Sequence, residues 1–199
     1  MKSKVYILIV LVLASTAMLW LPYAQAHENK EYSIKAAFLY NFIKFVDWPE
    51  EFDKNKDTIT LTIIGESPFA HHFDPIKDKK IKNKKLRIRY FEGYEEIEDK
   101  SVLKECHLLF VCLSEREHLK EIIKSTEGGC VLTVSEVEGF LEAGGVIRFV
   151  MHDKKVGFEI NITAVERNKL KIRSQLLRLA KKVVEEKKPK ESEPEEKED

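Results

Sequence analysis

Ser67, Ser114 and Ser135 are the residues whose surroundings most suggest chemistry. Each stands just beyond a β-branched or apolar run and opens a helix-start pattern: Ser67-Pro68, Ser114-Glu115-Arg116-Glu117 and Ser135-Glu136-Val137-Glu138. A serine before a proline suits an N-cap followed by the first helical position, and a serine with glutamate three residues on is a capping box. A helix N-terminus offers free N–H groups and the positive end of the helix dipole. Three of them converging would make a crevice for a phosphate or carboxylate. The same serines would equally serve as caps and nothing more. Other candidates are few. Gly65-Glu66-Ser67-Pro68 lacks the second glycine of a nucleophile elbow. There is no Gly-rich phosphate loop, no His-Glu-x-x-His and no Cys-x-x-Cys. His71 and His72 are adjacent, and neighbours on a helix point about 100° apart, so they suit a surface pair better than a metal site. His107, beside Cys106, suits the start of a buried strand. These patterns yield no catalytic residue, no metal site and no cofactor.

The two ends differ from the middle. Lys2 and Lys4 precede an uncharged run from Val5 to Leu21, and Ala24-Gln25-Ala26 follows. A basic start, an apolar stretch and a small-residue exit predict a signal peptide over residues 1–26 and export of the remainder. The far end, residues 187–199, has no apolar residue other than Pro189 and Pro194 and is expected to be a disordered charged tail. Between them, residues 30–186 form one expected domain. The whole chain has 34 basic and 34 acidic residues, and removing the signal peptide takes two lysines and no acid, leaving a net charge of −2. That balance speaks against nucleic acid as a partner. Export makes a disulfide plausible. Cys106 and Cys112 lie at opposite ends of one expected strand, about 20 Å apart, too far to bond. Cys106 and Cys130 both begin neighbouring strands and could pair; three separate thiols are the alternative.

Stepping along the chain, a helix is expected over about 32–47, stopped by Trp48-Pro49. Strands are expected at Thr58–Ile64, Leu86–Phe91, Leu108–Leu113 and Val131–Val134, each followed by a helix. Helices are placed after Ser67, over Glu95–Glu105, from Ser114 to Ser125, and from Ser135 to Gly144. Val146–Met151 and Val156–Ile160 flank His152-Asp153-Lys154-Lys155 as an antiparallel hairpin. Asn161 caps a short helix, Leu170–Ile172 is extended, and Leu176, Leu179 and Val183 predict a last helix over Gln175–Glu186. The fold class is α/β: a mostly parallel central sheet with helices on both faces and an antiparallel edge hairpin. In such sheets ligands bind beyond the carboxyl ends of the strands, where the three serines fall.

The first helix is unusual. Ile34, Ala37, Phe38, Leu39, Phe42, Ile43, Phe45 and Val46 surround it, and Lys35, Asn41 and Lys44 do not share a face. A surface helix shows one apolar stripe. This one needs cover on more than one side, from the domain core, a second copy or a partner.

Seven blocks in order resemble the YfiR family of periplasmic regulators: Lys35 through Trp48-Pro49, Ile64-Gly65 with Pro68-Phe69, Cys106-His107 through Phe110, Leu132 through Ser135 with Gly139-Phe140, Gly144 through Ile147, Phe158 through Asn161, and Ser174 through Ala180. The resemblance implies a non-enzymatic periplasmic protein that binds the periplasmic part of a membrane-bound diguanylate cyclase, lowers cyclic-di-GMP output, and is typically a redox-sensitive homodimer. Membrane association would be indirect, through the partner. Lys35, Phe38, Asn41, Phe42, Phe45 and Trp48 would carry the partner or dimer contact. Relatives often have a cysteine near Thr62 that suits the Cys106 position, and Thr62 removes that pairing here. The alternative reading is a small-molecule sensor for an anion or nucleotide at Ser67, Ser114 and Ser135.

Overall fold

A computed structural model describes residues 30–53, 57–67, 69, 72–76 and 79–185. The expected signal peptide and charged tail lie outside the described residues, as do Pro68 and His71.

Helix α1 covers residues 30–45 and runs into β1 (Val46–Asp47), before Pro49 and a one-turn α2 (Glu50–Asp53). β2 is Thr58–Ile64, as its β-branched run predicts. β3 (Lys80–Ile81) and β4 (Lys84–Phe91) form a tight antiparallel pair. A 3₁₀ turn, Lys100–Glu105, is capped by Asp99 and leads into β5 (Leu108–Val111). A second 3₁₀ segment, Leu113–His118, continues as α3 (Leu119–Thr126). Then come β6 (Leu132–Ser135), β7 (Ile147–His152), β8 (Lys155–Asn161), α4 (Ile162–Arg167), β9 (Lys171–Ile172), α5 (Ser174–Leu177) and β10 (Lys182–Val184).

The main sheet has the order β10-β8-β7-β6-β5-β2-β4-β3. The run from β7 through β4 is parallel, and β7–β8 is the antiparallel hairpin at one end. The α/β class with a mostly parallel mixed sheet therefore holds. β2, β5 and β6 are buried almost throughout, as strands covered on both faces must be. On one face α1 packs Leu39, Phe42 and Ile43 against Ile59, Leu61, Ile63, Phe110 and Val134. On the other, Ile64, Leu109 and Val111 pack with Ile122 and Ile123 of α3 and with Phe140.

Several expected helices are replaced by tighter structure. No helix follows Ser67 among the described residues; its Oγ accepts from the Phe69 N–H at 3.3 Å and turns the chain instead. The Ser114 capping box does not form. Cys112 is the cap of that segment, and Glu115 turns inward to accept from the Tyr94 N–H. After Ser135 the chain makes turns over 137–144, because the Ser135 hydroxyl donates to Val111 O at 2.8 Å and accepts from Val137 N–H at 3.1 Å. The helix expected over Glu95–Glu105 shortens to the 3₁₀ turn. The last helix stops at Leu177, and Lys182–Val184 becomes β10, parallel to β8. A bare β8 edge offers backbone partners that helical spacing in the sequence cannot report. The extended piece at 170–172 is β9, which pairs antiparallel with β1 in a separate two-stranded sheet. Asn161 caps α4 as expected, accepting from Ala164 N–H at 3.0 Å.

Candidate functional site

β2, β5 and β6 are neighbours, so Ser67, Ser114 and Ser135 do reach the same end of the sheet. Gly65 makes the close approach possible: at φ +100°, a Cβ there would lie 2.4 Å from Ser114 Oγ. Ser114 Oγ accepts from the Glu66 N–H at 3.0 Å. All three hydroxyls are thus engaged by the chain's own backbone. Carboxylates dominate this end. Glu66 and Glu136 follow β2 and β6, and the buried Glu115 follows β5, accepting from Tyr94 N–H and lying 3.3 Å from His118 Nδ1. Burial pushes the Cys112 thiol up to about 12, with Glu136 and Glu115 adding to the shift. An adjacent cavity of about 410 Å³ is also lined by Glu66, Glu92 and Glu96, beside Tyr90. The end of the sheet where the three serines fall is therefore rimmed by carboxylates, of which Glu136 is paired with Lys35 and Glu115 lies beside His118.

The residues expected at a partner contact divide into two sets. Lys35, Phe42 and Trp48 are buried; Phe38, Asn41 and Phe45 are half-buried. Phe38 and Phe42 pack with Phe149 and Phe158 at centroid distances of 5.0 to 6.0 Å, so the aromatics of α1 are covered largely by this chain's own core. Lys30, Ser33, Ile34, Ala37 and Lys44 are what α1 exposes. Lys35 is the least expected feature. Only 2% exposed, its Nζ lies 2.5 Å from both Glu31 Oε1 and Glu136 Oε2 and 4.3 Å from the Tyr32 ring centroid. Tyr32 OH donates to the other oxygen of Glu136 at 2.9 Å. Glu136 and Tyr32 escaped sequence reasoning; Lys35, set among the apolar residues of α1, was the signal that a buried counter-charge had to exist.

Where α1 ends, Asp47 accepts two bonds from Arg173 at 3.0 Å and one from Lys82 at 2.7 Å. The Arg173 hydrogen bonds, opposed by burial and assisted by Lys82, hold its carboxyl down at about 2. Lys82 also donates to Val46 O and lies 5.3 Å from the Trp48 ring. Below this corner His107 is fully buried. Its Nδ1 accepts from Thr60 N–H at 3.1 Å, which leaves Nε2 to donate to Asp53 at 3.1 Å. Burial would raise the Asp53 carboxyl, but bonds from Lys84 and His107 outweigh it and lower it. These are joints between elements: α1 to β9, and α2 to β4 and β5. Cys106 packs into the α3-side cluster and Cys130 against the α1-side cluster, so the two expected disulfide partners lie toward opposite faces of the sheet. Among the described residues no group of three or more His, Cys, Asp or Glu side chains is placed to hold a metal ion.

A family model described as YfiR/HmsC-like matches residues 32–181, and the chain belongs to that family. A search of curated proteins finds no match. Among solved structures, the chain is similar to a conserved domain protein from Vibrio cholerae O1 biovar El Tor strain N16961, with 10% identity and a TM-score of 0.47. It is also similar to the ABC domain in complex with L-Trp from Streptococcus pneumoniae, with 12% identity and a TM-score of 0.49. Each alignment covers 68% of this chain and 57% of the other, so the chain spans a little over half the length of those proteins. Neither likeness bears on function.

Proposed function

We propose that this chain is an exported regulatory protein that binds the periplasmic part of a membrane-bound diguanylate cyclase, holds it inactive, and so lowers cyclic-di-GMP output. The supporting observation is membership of the YfiR/HmsC-like family over nearly the whole folded part, residues 32–181. Inhibition needs no chemistry from this chain. It requires only that the inactive cyclase bind more tightly than the active one, which shifts the population by the difference in affinity. Export by cleavage after Ala26 places the chain on the same side of the membrane as its target. The chain acts as a homodimer, and α1 contributes to contact through Ile34 and Ala37 together with the rims of Phe38, Asn41 and Phe45. Lys35, Phe42 and Trp48 work from inside, fixing the helix.

The test is co-expression of the full chain with a membrane diguanylate cyclase from the same source, reading cyclic-di-GMP and recovery of the cyclase with the chain from membranes. The expected result is lower cyclic-di-GMP and co-purification. Ile34→Glu and Ala37→Glu should weaken both while circular dichroism stays unchanged. Unaltered cyclic-di-GMP with the unmodified chain would overturn the regulatory reading; undiminished recovery with both variants would move the contact away from α1.

A further inference from the structure

β4 is an edge strand that is paired on only part of its length. β3 meets it at Lys84 and Lys85 alone. Lys85 N–H donates to Asp57 O, and Phe91 O accepts from Gly65 N–H, so odd-numbered residues of β4 direct their backbone groups toward β2. By the alternation of a ladder, the N–H and C=O groups of Leu86, Ile88 and Tyr90 point outward, and no described residue pairs with them. An open row of this kind is what a sheet normally blunts or covers, because it is a template for another strand.

The side chains say which strand. Leu86 and Ile88 pack toward α1, so Lys85, Arg87 and Arg89 share the opposite face, spaced about 6.6 Å apart. Their neighbours across the ladder are Thr58, Thr60 and Thr62, and no carboxylate among the described residues pairs with any of the three cations. Two polar atoms beside this row are buried without a partner: Thr62 Oγ1, in a residue only 1% exposed, and Arg89 Nε, its partner in register. Beyond Phe91 the sign reverses at Glu92 and Glu96, which bounds the basic row at that end; at the other end Lys85 lies opposite Lys80 of β3, so Arg87 and Arg89 are the cations of the unpaired stretch.

We propose that the β4 edge is a docking strand for an extended acidic segment of a partner protein. The segment adds a strand through the outward backbone groups of Leu86, Ile88 and Tyr90. It carries an acidic side chain at every second position, matched to Arg87 and Arg89, with Lys85 adding charge at the end of the row beside β3. Main-chain bonds supply affinity and the charge row supplies selection. This surface is separate from α1 and does not depend on the partner being a cyclase.

The probe is a peptide of about ten residues alternating glutamate and threonine, with an alternating lysine–threonine peptide as control, measured by fluorescence anisotropy on the full-length chain. The glutamate peptide binds, its affinity falls with salt, and the lysine peptide does not bind. Binding slows amide exchange at Leu86, Ile88 and Tyr90. N-methylating one set of alternate amides in the peptide abolishes binding, and methylating the other set leaves it, because only one edge of a strand can pair. Arg87→Glu weakens binding about tenfold or more with an unchanged melting curve, and Arg87→Lys largely retains it. Equal binding of both peptides, equal effects of the two methylation sets, or protection elsewhere would each overturn the proposal. So would a chain ending at Glu185 that binds the peptide more tightly than the full chain, which would give the edge to the chain's own acidic terminus. A dimer in light scattering whose three amides are already slow without peptide would give it to a second copy.

Discussion

Lys35 Nζ and Glu136 Oε2 meet 2.5 Å apart, although 101 residues separate them in the chain. The contact joins α1 to the turn after β6 across a site where the ammonium is almost without solvent. Removing one partner of a buried pair leaves the other charge uncompensated, which typically costs about 3–5 kcal/mol. Lys35→Ala is expected to destabilise toward the lower end of that range, since Glu136 retains some exposure. Lys35→Met combined with Glu136→Gln should recover much of the loss, because neither charge of that pair is then stranded and the Glu31 carboxylate, 22% exposed, keeps access to water. Urea unfolding of the two variants checks this. Equal stability of Lys35→Ala and the parent would mean that the pair contributes nothing.

The carboxyl-terminal strand gives a second prediction. Lys181 N–H donates to Phe158 O at 2.8 Å, and Lys182–Val184 pair with Glu159–Asn161. A chain ending at Glu185 keeps these bonds and should melt with the full chain. A chain ending at Ala180 loses them, and with a net value near 1 kcal/mol for each of a few backbone bonds it should lose about 2 kcal/mol. Matching melts for all three chains would show that β10 adds no stability.

That strand also shows where sequence reasoning stops. Val183 and Val184 are adjacent β-branched residues, a local strand signal, but Leu176, Leu179 and Val183 also fit a helix. The decision belongs to β8, whose open edge exists only after the sheet has assembled. β2 and the β7–β8 hairpin were legible because their own residues settle them: a β-branched run ending at Gly65, and two apolar runs flanking a short polar turn. The serines at 114 and 135 misled for another reason. Capping boxes describe local bonds, whereas the Ser135 hydroxyl finds Val111 O on the adjacent strand and the Glu115 side chain finds Tyr94. At the site itself, the seven family blocks pointed to the right class of domain. Glu31, one turn before Lys35, is a counter-charge that helical spacing could have offered, whereas Glu136 and the cations at Asp47 came from distant segments that no spacing connects.

The cysteine in the α1-side core provides a third test. Burial first, then Glu136 and Glu115, push the Cys112 thiol up to about 12, so its thiolate is scarce at ordinary pH. Iodoacetamide at mildly alkaline pH should leave Cys112 unmodified in the folded chain and modify it fully after unfolding. Peptide mass mapping distinguishes the two. Rapid native labelling of Cys112 would mean that the end of β5 opens far more readily than its packing implies.

The last prediction concerns acid. Asp47 is held at about 2, well below an ordinary carboxylate, chiefly by its hydrogen bonds from Arg173 against the opposing effect of burial. A carboxyl that is more acidic folded than unfolded contributes stability while it is ionised in both states. That contribution is complete above about pH 4, declines as the unfolded chain takes up a proton, and is gone once pH falls through about 2. Asp47→Asn keeps the shape and removes the charge. The stability difference between parent and variant should therefore be constant from neutral pH to about pH 4, shrink between pH 4 and pH 2, and vanish below that. Both partners are substantially exposed, with Asp47 at 41% and Arg173 at 50%, so the difference should be small and should shrink with added salt even at neutral pH. Paired acid titrations of the melting temperature at low and high salt measure both trends. A difference that persists unchanged at pH 2 would mean that Asp47 acts through the shape of the α1–β9 corner, with no part played by its charge.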